Sequence, residues 1–99
     1  MGQKLSPADL ALYRAVDEIL HYVWDPIGIS DTPEMRDEYH GYVPQVFGLL
    51  RNGGDEEAIA SYLGKVVSER MGLSINAEHD KKIARLLLDW KEFLDDQHA

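Results

Sequence analysis

The chain has 99 residues, with 18 Asp and Glu against 10 Lys and Arg, a formal net charge of −8 and no cysteine. That length suits one domain around a single core. The missing cysteine excludes disulfides and thiolate metal sites, and the acidity, with no basic face to offset it, argues against nucleic-acid partners.

Apolar periodicity predicts four amphipathic helices and no strand. The first starts at Ser6, which can cap, followed by Pro7 at the first helical position and Asp9 three residues on. Its apolar stripe is Leu12, Val16, Ile19, Leu20 and Val23, and Asp25-Pro26 ends it because proline disfavours a helical residue before it. A separate short turn is expected from Thr32 towards Tyr39. The second helix begins near His40 or Gly41, tolerates Pro44 only in its first turn, carries Val43, Val46, Phe47 and Leu50 inwards, and stops at Arg51-Asn52-Gly53-Gly54. Asp55 caps the third, whose stripe is Ile59, Leu63, Val66, Val67 and Met71 with Gly72 as the left-handed exit. The fourth runs from Asn76 to about Leu94 with Ile83, Leu86, Leu87, Trp90, Phe93 and Leu94 as its apolar face. A face that wide either makes this the closing helix of the bundle or extends into a homodimer or partner contact. The fold expected is an all-α compact bundle of four helices. It forms one domain over residues 1–99, with an ordered core over about 6–94 and one long irregular connection after the first helix.

That connection holds most of what is unusual. The run Trp24-Asp25-Pro26-Ile27-Gly28, then Asp37-Glu38-Tyr39 and Tyr42-Val43-Pro44, is followed by Leu49-Leu50, Gly54, Ile59-Ala60, Leu63 and Glu69-Arg70-Met71-Gly72-Leu73. Together these residues resemble the YugE-like family of small bacterial helical proteins of unknown function. The resemblance spans residues 12–73. It implies a compact helical fold and no particular activity.

Two readings of the connection stand side by side. In one, Trp24 closes the core, Asp25 pins the next turn and Tyr39 packs back with its hydroxyl on an acceptor. In the other, Trp24, Asp25, Asp37, Glu38, Tyr39 and Tyr42 form a partner-binding patch, because a connection of roughly 15 residues is long for a compact domain and such loops often carry function. Asp25, Asp31, Glu34, Asp37, Glu38 and His40 also supply hard ligands, but without the alternating ladder of a calcium loop. Asp17 and His21 share a helical face without a second histidine nearby, and the Glu-x-x-His motif of di-iron bundles is missing. Ser61, Ser68 and Ser74 have no neighbouring base, and Gly53-Gly54 lacks a phosphate-loop lysine.

With no catalytic, cofactor or metal residues to nominate, the sequence points to a non-enzymatic protein–protein interaction module. Its role would be regulatory or immunity-like, its partner a basic protein, and its own state monomer or homodimer. The alternative is a divalent-metal-binding accessory protein or metal-dependent enzyme using segment 25–40. An N-terminus without an apolar signal core, and no run long enough to span a bilayer, give the expectation of a cytoplasmic protein without a membrane partner. Met1-Gly2 with Ser6 matches the start of a myristoylation pattern too common to change this.

Overall fold

Three of the four helix starts are fixed by a side-chain oxygen on an otherwise orphaned backbone N–H. Ser6 accepts from the Asp9 N–H at 3.1 Å, Asp55 from Ala58 at 2.9 Å and Asn76 from His79 at 3.1 Å. Each such cap stabilises its helix by about 1 kcal/mol. In the computed structural model, which describes residues 5–98, the helices are α1 (Pro7–Ile19), α2 (Val43–Arg51), α3 (Glu56–Lys65) and α4 (Ala77–Gln97). The Met1-Gly2 pattern lies outside the described residues. Among these residues there is no strand, and no helix is long and apolar enough to cross a membrane. The all-α bundle is as the periodicity predicts. α2 has no side-chain cap; its start is wound instead from a 3-10 turn, His40–Tyr42, that leads into Pro44 in the first turn.

The first helix departs from expectation at its end. After Ile19 the chain makes a π turn, Leu20–Trp24, and α3 does the same over Val66–Arg70. A π turn takes about one residue more per turn than an α-helix, which advances the face pointing inwards. Val23, expected in the stripe, is therefore 47% exposed, while Trp24 and His21 turn into the core at 1% and 2%. The π hydrogen bonds close from Asp25 N–H to Leu20 O and from Met71 N–H to Val66 O, both at 3.1 Å.

The core joins Leu12, Val16 and Leu20 of the first element to Val43, Val46 and Leu50, to Ile59 and Leu63, and to Ile83, Ala84 and Leu87. α4 packs mainly on α3 and α1. Its predicted apolar face is too generous: Trp90 and Phe93 stay 41% and 51% exposed. The helix also runs past Leu94 to Gln97. There Arg51 holds Asp95 at 3.0 Å while reaching Asp9 at 2.7 Å, clipping the end of α2 to the start of α1 and the end of α4.

Gly53 and Gly54 divide the work of ending α2. Gly53 takes φ +82°, which only glycine adopts without strain, and the Gly54 N–H returns to Leu49 O at 2.8 Å. A Cβ on Gly54 would sit 2.8 Å from that same carbonyl oxygen. Because the obstacle is backbone, Gly54→Ala is expected to cost about 2 kcal/mol. Urea unfolding would measure it, and a loss below about 0.5 kcal/mol would show that the turn relaxes freely.

Candidate functional site

Asp25 organises the connection after α1. It is the one non-glycine residue with positive φ among those described, at +33°, a conformation that Asp tolerates better than most residues. This turn aims its carboxylate at the backbone ahead. Oδ1 accepts from the N–H groups of Gly28 at 3.1 Å and Ile29 at 2.8 Å, and Oδ2 from Ser30 at 3.0 Å. The Tyr39 hydroxyl donates to Oδ1 at 2.8 Å and accepts from the Ile27 N–H at 3.1 Å. Burial by itself would raise the Asp25 carboxyl's pKa, but the donors from Ile29, Tyr39 and Ser30 outweigh it and hold it below the usual value. Burial, with the Asp25 carboxylate beside it, pushes the Tyr39 phenol far up, so it stays a neutral donor.

This geometry divides the predicted partner-binding set. Trp24 and Tyr39 are each 1% exposed, with ring centroids 5.4 Å apart, and Tyr42 meets Trp24 edge-on at 6.3 Å while half-buried. Asp25 is committed to its own loop. Trp24, Asp25 and Tyr39 therefore hold the fold together, and Asp37 and Glu38 are the members of the set left exposed. The acidic segment does not converge either. Among the described residues no group of three or more His, Asp or Glu side chains is gathered as a metal ion would require. Asp17 and His21 part company: Asp17 binds Arg36 through two hydrogen bonds at 3.2 and 3.0 Å and meets His40 at 3.0 Å, whereas His21 is buried with Nδ1 unpartnered among the described residues.

The structure brings forward a junction that the sequence reading missed. Asp80, in the first turns of α4, is 2% exposed. Its Oδ1 accepts from the Trp24 indole N–H at 3.1 Å, and its Oδ2 is buried with no partner among the described residues. Burial raises its pKa, against the lowering effect of the indole bond. The neighbouring His79 Nε2 lies 3.0 Å from the Trp24 carbonyl oxygen. A signal was present in the sequence: Asp80, Ile83, Ala84 and Leu87 share one helical face, so an acid occupies a core position. On one side of this junction a cleft of about 500 Å³ is lined by Trp24, Asp25 and Pro26, by Leu73 and Ser74, and by His79. The Trp-Asp-Pro run and Leu73-Ser74, distant in sequence, thus meet at one place, each following a π turn.

Among the described residues Asp80 has one hydrogen-bonded partner, the Trp24 indole, and no nucleophile or second acid within hydrogen-bond reach. Comparison with protein-family models, with curated proteins and with solved structures finds no match to this chain.

Proposed function

We propose that the protein is a non-enzymatic interaction module, of the YugE-like kind, that holds a basic amphipathic segment of a partner protein against α4. The observation carrying this reading is the ridge formed by Trp90 and Phe93. The two rings stand edge-to-face, 5.5 Å apart and about half-exposed, and with Leu86 and Asp89 they border an apolar hollow of about 240 Å³. Exposed aromatic pairs of this kind are the usual anchors of binding hot spots. Asp89, Glu92 and Asp96 are exposed on the stretch of α4 that carries the ridge, with Lys82 and the Glu56-paired Arg85 before it, so this acidic end favours a basic occupant and disfavours a second copy of this acidic chain. The exposed Asp37 and Glu38 would steer the same kind of partner through the overall field.

The test is a titration with a helical Lys/Leu peptide that has leucines at helical spacing, against a Glu/Leu peptide of the same design. Amide shifts are expected to centre on α4 residues 86–97. Trp90→Ala with Phe93→Ala is expected to weaken binding at least about tenfold without lowering the melting temperature. Equal affinity for the acidic peptide, or binding that survives the double substitution, would refute the reading.

A further inference from the structure

We propose that the notch between Gly64 and Asp80, in a second cleft lined by α3 and the start of α4, binds the primary ammonium group of a small alkylamine. Two features that each cost stability meet there. Gly64 sits buried inside α3, where alanine would be the better helix former. Asp80 carries a buried carboxylate oxygen that no group among the described residues satisfies. A Cβ at position 64 would lie 3.5 Å from Asp80 Oδ2 and 3.4 Å from Ile75 Cγ2, so with glycine there no side chain of α3 stands between the unpaired oxygen and the cleft, and Ile75 is the neighbour that closes it. When two unfavourable choices share one point, binding is the common reason for keeping them.

The surroundings specify the ligand. The notch is the floor of a cleft of about 530 Å³. Its rim carries Glu57 and Glu69 against Lys65 and Lys81, two charges of each sign, so the rim is balanced and the uncompensated charge is on the floor. A buried carboxylate with one free oxygen calls for a cationic donor. The narrowness set by Gly64 and Ile75 admits a slender head group and an alkyl stem, and the Ser61 hydroxyl in the same cleft offers a second acceptor. Guanidinium is too broad for a gap that one methyl group would fill. Ile75, 55% exposed and on the irregular stretch before α4, is free to shift as the amine enters. The ammonium would then donate to Asp80 Oδ2 while the stem lies along Ala60, Ala77 and Ile75.

The test titrates butylammonium chloride and a short diamine dihydrochloride into isotopically labelled protein, up to about 50 mM at constant ionic strength, with tetramethylammonium and sodium chlorides as controls. Saturable shifts are expected at the Gly64, Ile75 and Asp80 amides and at the Asp80 carboxyl carbon, with a melting temperature raised by about 2 °C. Asp80→Asn and Gly64→Ala are each expected to weaken binding at least about tenfold. Should Asp80→Asn fail to fold, Gly64→Ala decides, since alanine keeps the helix and fills only the notch. No saturable response, an equal response to tetramethylammonium, or undiminished binding by folded Gly64→Ala would each overturn the assignment.

Discussion

Asp25→Ala is expected to destabilise the protein by about 3 kcal/mol, chiefly through lost hydrogen bonds. The loss has three sources. The N–H groups of Gly28, Ile29 and Ser30 lose a charged acceptor, the Tyr39 hydroxyl loses its own, and alanine is forced into φ +33°. Charge-assisted bonds of this type contribute about 1.5–3 kcal/mol each when buried, and partial exposure to water brings the sum down. Asp25→Asn tolerates the left-handed backbone and keeps one acceptor oxygen, so about half the loss is expected from it. The pH dependence has a definite sign. Because the folded carboxyl lies below its ordinary 3.8, its stabilisation is complete above that value and disappears as pH falls through the folded pKa. The wild type should therefore lose more stability than Asp25→Asn on acidification below about pH 4. Urea unfolding at neutral and acid pH measures both effects. An Asp25→Ala variant within about 0.5 kcal/mol of wild type would mean that water replaces the carboxylate.

The Asp25 network also shows what was legible in the sequence. Caps are local, so Ser6, Asp55 and Asn76 could be assigned from neighbours alone, and the glycine stops at Gly53 and Gly72 follow from the same local rules. The role of Asp25 as the pin of the following turn could be read as well, since all its backbone partners lie within five residues. What could not be read depended on frame or distance. The π turn at Leu20–Trp24 depends on how Trp24 and Asp80, 56 residues apart, come to face each other, and a fixed 3.6-residue period puts Val23 in the core in its place. The long apolar run of α4 could not reveal that α1 and α3 cover only one side of it. That left Trp90 and Phe93 in solvent.

The two π turns have a joint consequence. One ends in Asp25 and the other leads through Gly72 at φ +67° into Leu73, and both deliver their exits to the N-terminal end of α4. A register fixed by an extra residue in each helix needs something to hold it, because the α form would otherwise be preferred. The buried Trp24–Asp80 hydrogen bond links the first of these turns directly to α4, and Val67 of the second lines the same cleft. The junction is thus structural on the Trp24 side, while the free oxygen of Asp80 faces Gly64.

Trp24→Phe isolates that link, and a loss of about 3 kcal/mol is expected at neutral pH. Part of it is the cavity left by the smaller ring in a site that is 99% closed to solvent, the complement of the 1% exposure. The rest comes from leaving Asp80 with neither oxygen paired. Burial already raises the Asp80 pKa, and removing the indole donor raises it further. For a carboxyl raised in the folded state, the associated stability is complete below the ordinary 3.8 and is lost as pH rises through the folded pKa. The cost of Trp24→Phe, taken as the difference from wild type at each pH, should therefore be larger at neutral pH than at about pH 4, near the ordinary carboxyl value. Asp80→Asn in the same background removes the charge, and is expected to recover at least about 1 kcal/mol and to flatten the pH dependence. His79, whose ring meets the Trp24 carbonyl oxygen, is present in all four members of this double-mutant cycle, so its contribution cancels to first order. Equilibrium unfolding of the four proteins at both pH values gives the coupling directly. If Asp80→Asn brings no recovery, the charge on Asp80 is not what the indole holds in check, and the junction's stability lies in the packing of Trp24 against Tyr39 and Tyr42.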